Sequence, residues 1–224
     1  MGNFTVLGLR LAAYMLVSLF IGMTLREYAR ARIVAALGDP TPRLWGRISF
    51  RPSHWFEPFG SGFVPVLIAI LWTVLRLMMP AAYAKPAPID PTYLRRGPRD
   101  VIVASIVGPL VSLMLAIAAG LVVRTGAPAD EPLLVLTTFA YTNASLFVFH
   151  LLPIPGLDGG RLVTLLLPAH ARETFRNADR YLPLFVLVVL FVLLSVLLEF
   201  VQLITGAICE AASGADCLLL LTSG

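Results

Sequence analysis

Residues 26–30, Arg-Glu-Tyr-Ala-Arg, set a carboxylate between two guanidinium groups. On a helix, positions i and i+4 share a face, so Arg26 and Arg30 project together with Glu27 beside them. Histidines at that spacing hold a zinc ion, and a glutamate between them serves as general base toward the metal-bound water. Arginines cannot do this, because a guanidinium stays protonated and has no lone pair to give. The stretch thus has the spacing of a metal site and the chemistry of an ion-pair cluster. A helix leaving a membrane, with arginines snorkelling to the headgroups, would show the same residues.

A second stretch, "FHLLPIPGLDGGRL" at 149–162, presents Asp158. Pro153 and Pro155 stop a preceding helix, Gly156 allows an unusual turn, and Gly159 and Gly160 permit close backbone approach as the chain turns back. A carboxylate there suits either a metal ligand or a helix N-cap for residues 159 onward.

The elements that must position these groups are hydrophobic. The chain has 224 residues, 58% apolar and 13% charged, against the roughly 45–50% apolar content usual for soluble domains. This implies an all-α polytopic membrane protein with four to five transmembrane helices and short extended cytoplasmic loops. About 20 apolar residues cross a bilayer, and the segments near 4–25, 100–123, 131–152 and 182–206 meet that length within a single membrane domain, 1–206. The first is expected to be retained as a span, not removed as a signal. Segment 61–80 has the length, but Pro65 breaks it and Arg76 sits in its second half. It is either re-entrant or spanning.

Basic residues arbitrate, since short cytoplasmic loops collect them. If 61–80 dips in and returns, loops 26–60, 81–99 and 153–180 share one side and hold 14 of the 17 Lys and Arg residues. If it crosses, the bias disappears. The re-entrant reading puts those loops in the cytoplasm and the tail, 207–224, outside it. Cys209 and Cys217 in that tail would close a small loop in an oxidising compartment, or remain unpaired. Residues 37–52 read as a short surface hairpin punctuated by Pro and Gly, and 83–100 as an extended loop. The net charge of +4 lies in loops without aromatic-basic alternation, which argues against nucleic acid as a partner. Gly108, Ser112, Ala116 and Gly120 recur every four residues and read as a close helix contact.

Taken together, these residues resemble the site-2 protease family of intramembrane zinc metalloproteases, in its short bacterial branch. "EYARARIVAALGDPTPRLWGRISFRP" is similar to the stretch after the start of that family's catalytic helix. "EPFG" followed by "VP" resembles its D-P-x-G element, and "AKPAPIDP" resembles its proline-rich loop. "VGPLVS" is similar to its A-G-P helix, and "HLLPIPGLDGGRL" to its L-D-G-G signature. The resemblance implies that the family's two zinc-binding histidines correspond to Arg26 and Arg30, its aspartate ligand to Asp158 and its glutamate base to Glu27. Ser112 and His150 stand where the family has asparagines and Trp55 where it has a loop histidine, while Asn143 is retained.

With the ligands so changed, Arg26, Arg30, Glu27 and Asp158 are expected to form an ion-pair cluster, with no intact catalytic site and no metal. The alternative metal set is His54, His150 and Asp158, which is acceptable for zinc although the two arginines would repel the ion. His170 reads as a solvated helix residue. Three functions follow: a pseudoprotease that binds a transmembrane partner or former substrate without cutting it, a divergent active metalloprotease using substituted ligands and zinc, or a structural subunit of a membrane complex. Membrane lipid is the common partner.

Overall fold

The computed structural model describes residues 2–75, 79–85, 89–90, 92–191 and 194–223. It is all-helical. Helix α1 (Gly2–Ala36) leads to a one-turn helix α2 (Thr41–Leu44), and a wide helical turn at Pro58–Phe63 opens α3 (Val64–Leu75). Then follow α4 (Pro98–Arg124), α5 (Asp130–Leu151), α6 (Asp158–Leu166), α7 (Ala169–Asn177), α8 (Leu182–Phe191), α9 (Leu194–Ser213) and α10 (Cys217–Ser223). Among the described residues three helices are long and apolar enough to cross a membrane, Val6–Ala36, Arg99–Arg124 and Asp130–Leu151, and Pro58–Val74 is a shorter apolar helix. The span expected at 182–206 includes residues 192 and 193, which lie outside the described residues, and α8 and α9 flank them.

At 1.5 Å per residue, the 35 residues of α1 extend about 50 Å. That exceeds the roughly 30 Å of hydrocarbon, so its last turns continue past the apolar run that ends at Leu25. Gly38, at φ +115°, ends the helix in the left-handed conformation that a Cβ would strain.

α5 lies at the centre, packed against α4, α1 and α9. Arg10 pairs with Glu131 at 3.2 Å, and Gly120 of α4 abuts Ala212 of α9. The start of α1, the end of α4, the start of α5 and the end of α9 therefore share one end of the bundle. At the other end Arg95 N donates to Leu37 O at 3.3 Å, next to the start of α6.

The segment around α3 is stitched at its base. Tyr83 N donates to Gly60 O at 3.1 Å and Lys85 N to Trp55 O at 2.9 Å, while Ser145 of α5 donates to Pro80 O at 2.6 Å. Gly8 of α1 faces Thr73 at the far end of α3. The chain thus runs along α1 toward its N-terminus, and residues 79–85 lie back beside the start of α3. Residues 76–78 of the 61–80 segment are outside the described residues.

Two local expectations are corrected. No hairpin forms over 37–52, and the described residues contain no strand. Instead the Asp39 carboxylate accepts from Thr41 N at 2.8 Å and from Asp90 N at 2.9 Å, which favours the helical turn α2 and ties it to the distant loop. Asp158 is not an N-cap either. Leu157 holds that position without a side-chain bond, because the carboxylate is engaged elsewhere. Cys209 and Cys217 are joined in a disulfide, which fastens α10 to the end of α9.

Candidate functional site

Asp158 opens α6 because the chain before it cannot continue α5. Pro153 and Pro155 remove backbone donors, Gly156 turns at φ +88°, and a Cβ on Gly159 or Gly160 would overlap the carbonyls of Leu151 and Ile154 respectively. The carboxylate is delivered, 2% exposed, against the inner face of α1. There Arg26 and Arg30, one turn apart, converge on a single oxygen. Arg26 Nη2 donates to Asp158 Oδ2 at 2.6 Å, and Arg30 Nη2 donates to the same atom at 2.5 Å.

Glu27 completes the group from the side. Its Oε1 lies 3.2 Å from Arg30 Nη1 and 3.5 Å from Arg26 Nε. Arg26 is fully buried, and Glu27 and Arg30 nearly so. Two cations thus face two carboxylates in a space closed to solvent, and each guanidinium touches both acids. The arrangement neutralises buried charge by direct hydrogen bonds.

α4 makes room for it. Pro109 interrupts the hydrogen-bond ladder of that helix, and the preceding Gly108 is where the arginines pass. A Cβ there would overlap Arg30 Nη2 and approach Arg26 Nη2 to 3.0 Å. Ser112, one turn along, is fully buried and its hydroxyl has no hydrogen-bond partner.

Three contributors were not singled out from sequence. Arg161, one turn into α6, places Nη1 3.8 Å from Asp158 Oδ1. Burial lowers its pKa, Arg30 lowers it further, and Asp158 and Glu27 oppose that. Arg47 is buried on the other flank and donates to Lys85 O at 3.2 Å. Its pKa is lowered by burial, with Glu27 opposing. Met23 sets its sulfur 4.0 Å from Arg26 Nη1. Only Arg161 carried a sequence signal, its i+3 spacing from Asp158.

The histidines are elsewhere. His54 packs against Gly46. His150 is buried beside the site, but its Nδ1 lies 3.0 Å from Leu146 O of its own helix, and its ring meets Phe149 edge-on at 5.3 Å. His170 is exposed on α7. Among the described residues no three His, Cys, Asp or Glu side chains gather where a metal ion would sit. The His54, His150, Asp158 set is therefore not assembled, because backbone and glycine contacts hold the two rings apart from a carboxylate already taken by arginines. Of the other positions, Trp55 is buried against Phe20 at 5.6 Å, and Asn143 Nδ2 donates to Phe139 O at 2.9 Å.

Residues 125–194 match the family model described as Peptidase family M50. A protein of Bacillus subtilis (strain 168) named "Putative zinc metalloprotease YwhC" is 30% identical over 190 residues, covering 81% of this chain and 81% of that one. The chain belongs to peptidase family M50. This is the site-2 protease family, so the protein is a homologue of intramembrane metalloproteases. No solved structure matches it. The stretch matched by the M50 model contains Asp158 but begins well after Arg26 and Arg30. A zinc ion does not fit what this M50 member puts around Asp158. The two groups that Asp158 Oδ2 already accepts from, Arg26 and Arg30, are hydrogen-bond donors with no lone pair to give a metal.

Proposed function

We propose that this protein is a catalytically inactive member of the M50 family, a pseudoprotease whose Arg26 and Arg30 occupy the positions of the zinc-binding histidines. The observation that carries this reading is the convergence of both guanidinium groups on Asp158 Oδ2, at 2.6 and 2.5 Å. They supply the positive charge that a divalent ion would supply. Glu27, the residue matching the family's base, is held by the same arginines and has no metal-bound water to activate. The site becomes a structural tie between α1 and α6, and the scaffold serves to hold a transmembrane partner or former substrate without cleaving it.

In this reading the loops bearing Arg43, Arg95 and Arg161 face the cytoplasm and the C-terminal tail lies outside. The Cys209–Cys217 disulfide supports that orientation, because such bonds persist in oxidising compartments. The hydrogen bonds joining Gly60 to Tyr83 and Trp55 to Lys85 support a re-entrant segment, since both of its ends then lie on one side.

The test is elemental metal content of the detergent-purified protein, with and without Asp158→Ala, alongside capture of membrane proteins under gentle extraction. The expected result is no stoichiometric metal in either sample and a defined membrane partner. About one zinc per chain, lost in Asp158→Ala, together with substrate cleavage lost in Glu27→Gln, would replace this reading with a divergent active protease.

A further inference from the structure

We propose that the segment from Arg43 to Arg51 is a binding surface for the headgroups of anionic phospholipids. The apolar run of α1 ends at Leu25, and the helix then continues to Ala36. The following loop folds back. Phe50 stacks on Tyr28 with ring centroids 4.1 Å apart and planes at 21°. Arg26, Glu27 and Arg30 are buried, so the first charge that this end of α1 exposes is Arg32, and the contact returns the loop to about one helical turn from it, at the level of the bilayer surface.

What the loop presents there is amphipathic. Leu44 is 78% exposed, and Trp45 and Phe50 are each 57% exposed. Aromatic side chains of this kind are enriched at the headgroup level of membranes. Around them Arg32, Arg43, Arg51, Arg95, Arg96 and Arg99 are exposed, and among the described residues none of them forms an ion pair.

The nearby carboxylates are committed inward. Asp39 accepts from Thr41 and Asp90, Asp100 from Arg96 N at 2.8 Å, and Glu57 from Gly60 N, while the Asp90 carboxylate accepts from Thr92 in contact with solvent. Six exposed arginines thus outnumber the Asp90 carboxylate that meets solvent, and the face is positive at the level where apolar wedges and anionic phosphates are both available. Each basic residue near an anionic membrane surface contributes about 1 kcal/mol, or roughly fivefold in affinity. An acidic protein would match the charge but would leave Leu44 and Trp45 exposed to water.

Trp45 is a built-in probe, because Trp55 and Trp72 are 3% and 0% exposed. The protein is placed in two sets of nanodiscs of identical composition, a minority of phosphatidylglycerol in phosphatidylcholine. The bromine quencher is carried by the acyl chains of the anionic lipid in one set and of the zwitterionic lipid in the other. Subtracting the fluorescence of Trp45→Phe isolates Trp45. Per labelled lipid, quenching by phosphatidylglycerol is expected to exceed that by phosphatidylcholine about fivefold or more. The preference should disappear in R43Q/R51Q, whose melting temperature should match the parent because both arginines are exposed. Equal quenching per lipid, quenching by neither, or a preference that survives R43Q/R51Q would each overturn the proposal. The last two would hand the arginines to an acidic protein and to other basic residues respectively.

Discussion

Removing the Asp158 carboxylate breaks two buried ion pairs at once, since Arg26 and Arg30 share one of its oxygens. Losing one partner of a buried pair costs about 3–5 kcal/mol, because the remaining charge is left in a low-dielectric interior. Here three guanidinium groups remain close together, since Arg161 lies 3.8 Å from the other oxygen of Asp158, and only Glu27 stands among them. Asp158→Ala should therefore destabilise by at least that amount. On a scale of about 2–4 °C per kcal/mol for chains of this length, the melting temperature should fall by roughly 6–20 °C. Intrinsic fluorescence during heating in a mild detergent would read it. A second variant fixes the sign. Replacing the whole group, as in R26M/E27L/R30M/D158L/R161M, removes the charges together and should leave stability near or above the parent, since apolar residues of similar volume commonly match or exceed a buried ionic group. If Asp158→Ala melts within about 2 °C of the parent, or the fivefold variant melts as low as Asp158→Ala, the five residues do not act as a mutually compensating cluster.

Three further outcomes follow from the same geometry. Gly108→Ala puts a Cβ against Arg30 Nη2 and should cost about 1–3 kcal/mol by overpacking; in an Arg30→Ala background the penalty should shrink, and additive melting shifts would show that Gly108 does not serve the arginines. Reducing the Cys209–Cys217 bond, which spans 8 positions, should cost about 2–3 kcal/mol by loop entropy; C209S/C217S should melt at the reduced value and ignore reductant. Ser145→Ala, which leaves Pro80 O without its 2.6 Å donor, should cost about 0.5–1.5 kcal/mol and raise protease sensitivity within residues 79–85, and an unchanged cleavage pattern would show that this bond does not hold the segment.

Hydropathy made the membrane architecture readable, because a 20-residue apolar run has few other uses in a chain this poor in charge. The glycines of the second stretch were readable for a related reason. Two prolines followed by Gly156 and a Gly pair leave the backbone little choice but a tight return, and the overlaps at Gly159 and Gly160 show how tight. Long-range partners had no such local signal. Arg26 and Asp158 are 132 positions apart, and only a family resemblance linked them before the geometry was in hand. Arg47 and Met23 have no motif at all, and Gly108 looked like a helix-packing residue because small side chains at four-residue spacing do not say what fills the notch. The hairpin expected at 37–52 failed on a single side chain. Asp39 supplies the hydrogen bonds that a paired strand would have supplied, and so the prolines start a helical turn.

On the proposed reading Arg26 and Arg30 stand where the family has histidines, and its sharpest test is to install those histidines. In R26H/R30H the imidazoles would rise from the same α1 face toward Asp158, with Glu27 beside them. The shorter imidazole does not bridge to the carboxylate by itself. A nitrogen–zinc–oxygen path adds about 4 Å, however, where the present nitrogen–oxygen contacts add 2.5–2.6 Å, so a shorter ring plus a metal spans a gap comparable to the one the longer guanidinium spans. Two histidines and a carboxylate are also a sufficient donor set for zinc with one position left open. The double variant should bind about one zinc per chain and gain thermal stability on its addition, whereas R26H or R30H alone and R26H/R30H/D158A should not. Each single variant keeps one guanidinium on Asp158, which opposes the ion both by charge and by occupying its ligand. A folded R26H/R30H protein that takes up no zinc would mean that the positions of Arg26 and Arg30 no longer frame a metal-binding geometry, and that the site has diverged in its backbone as well as in its side chains.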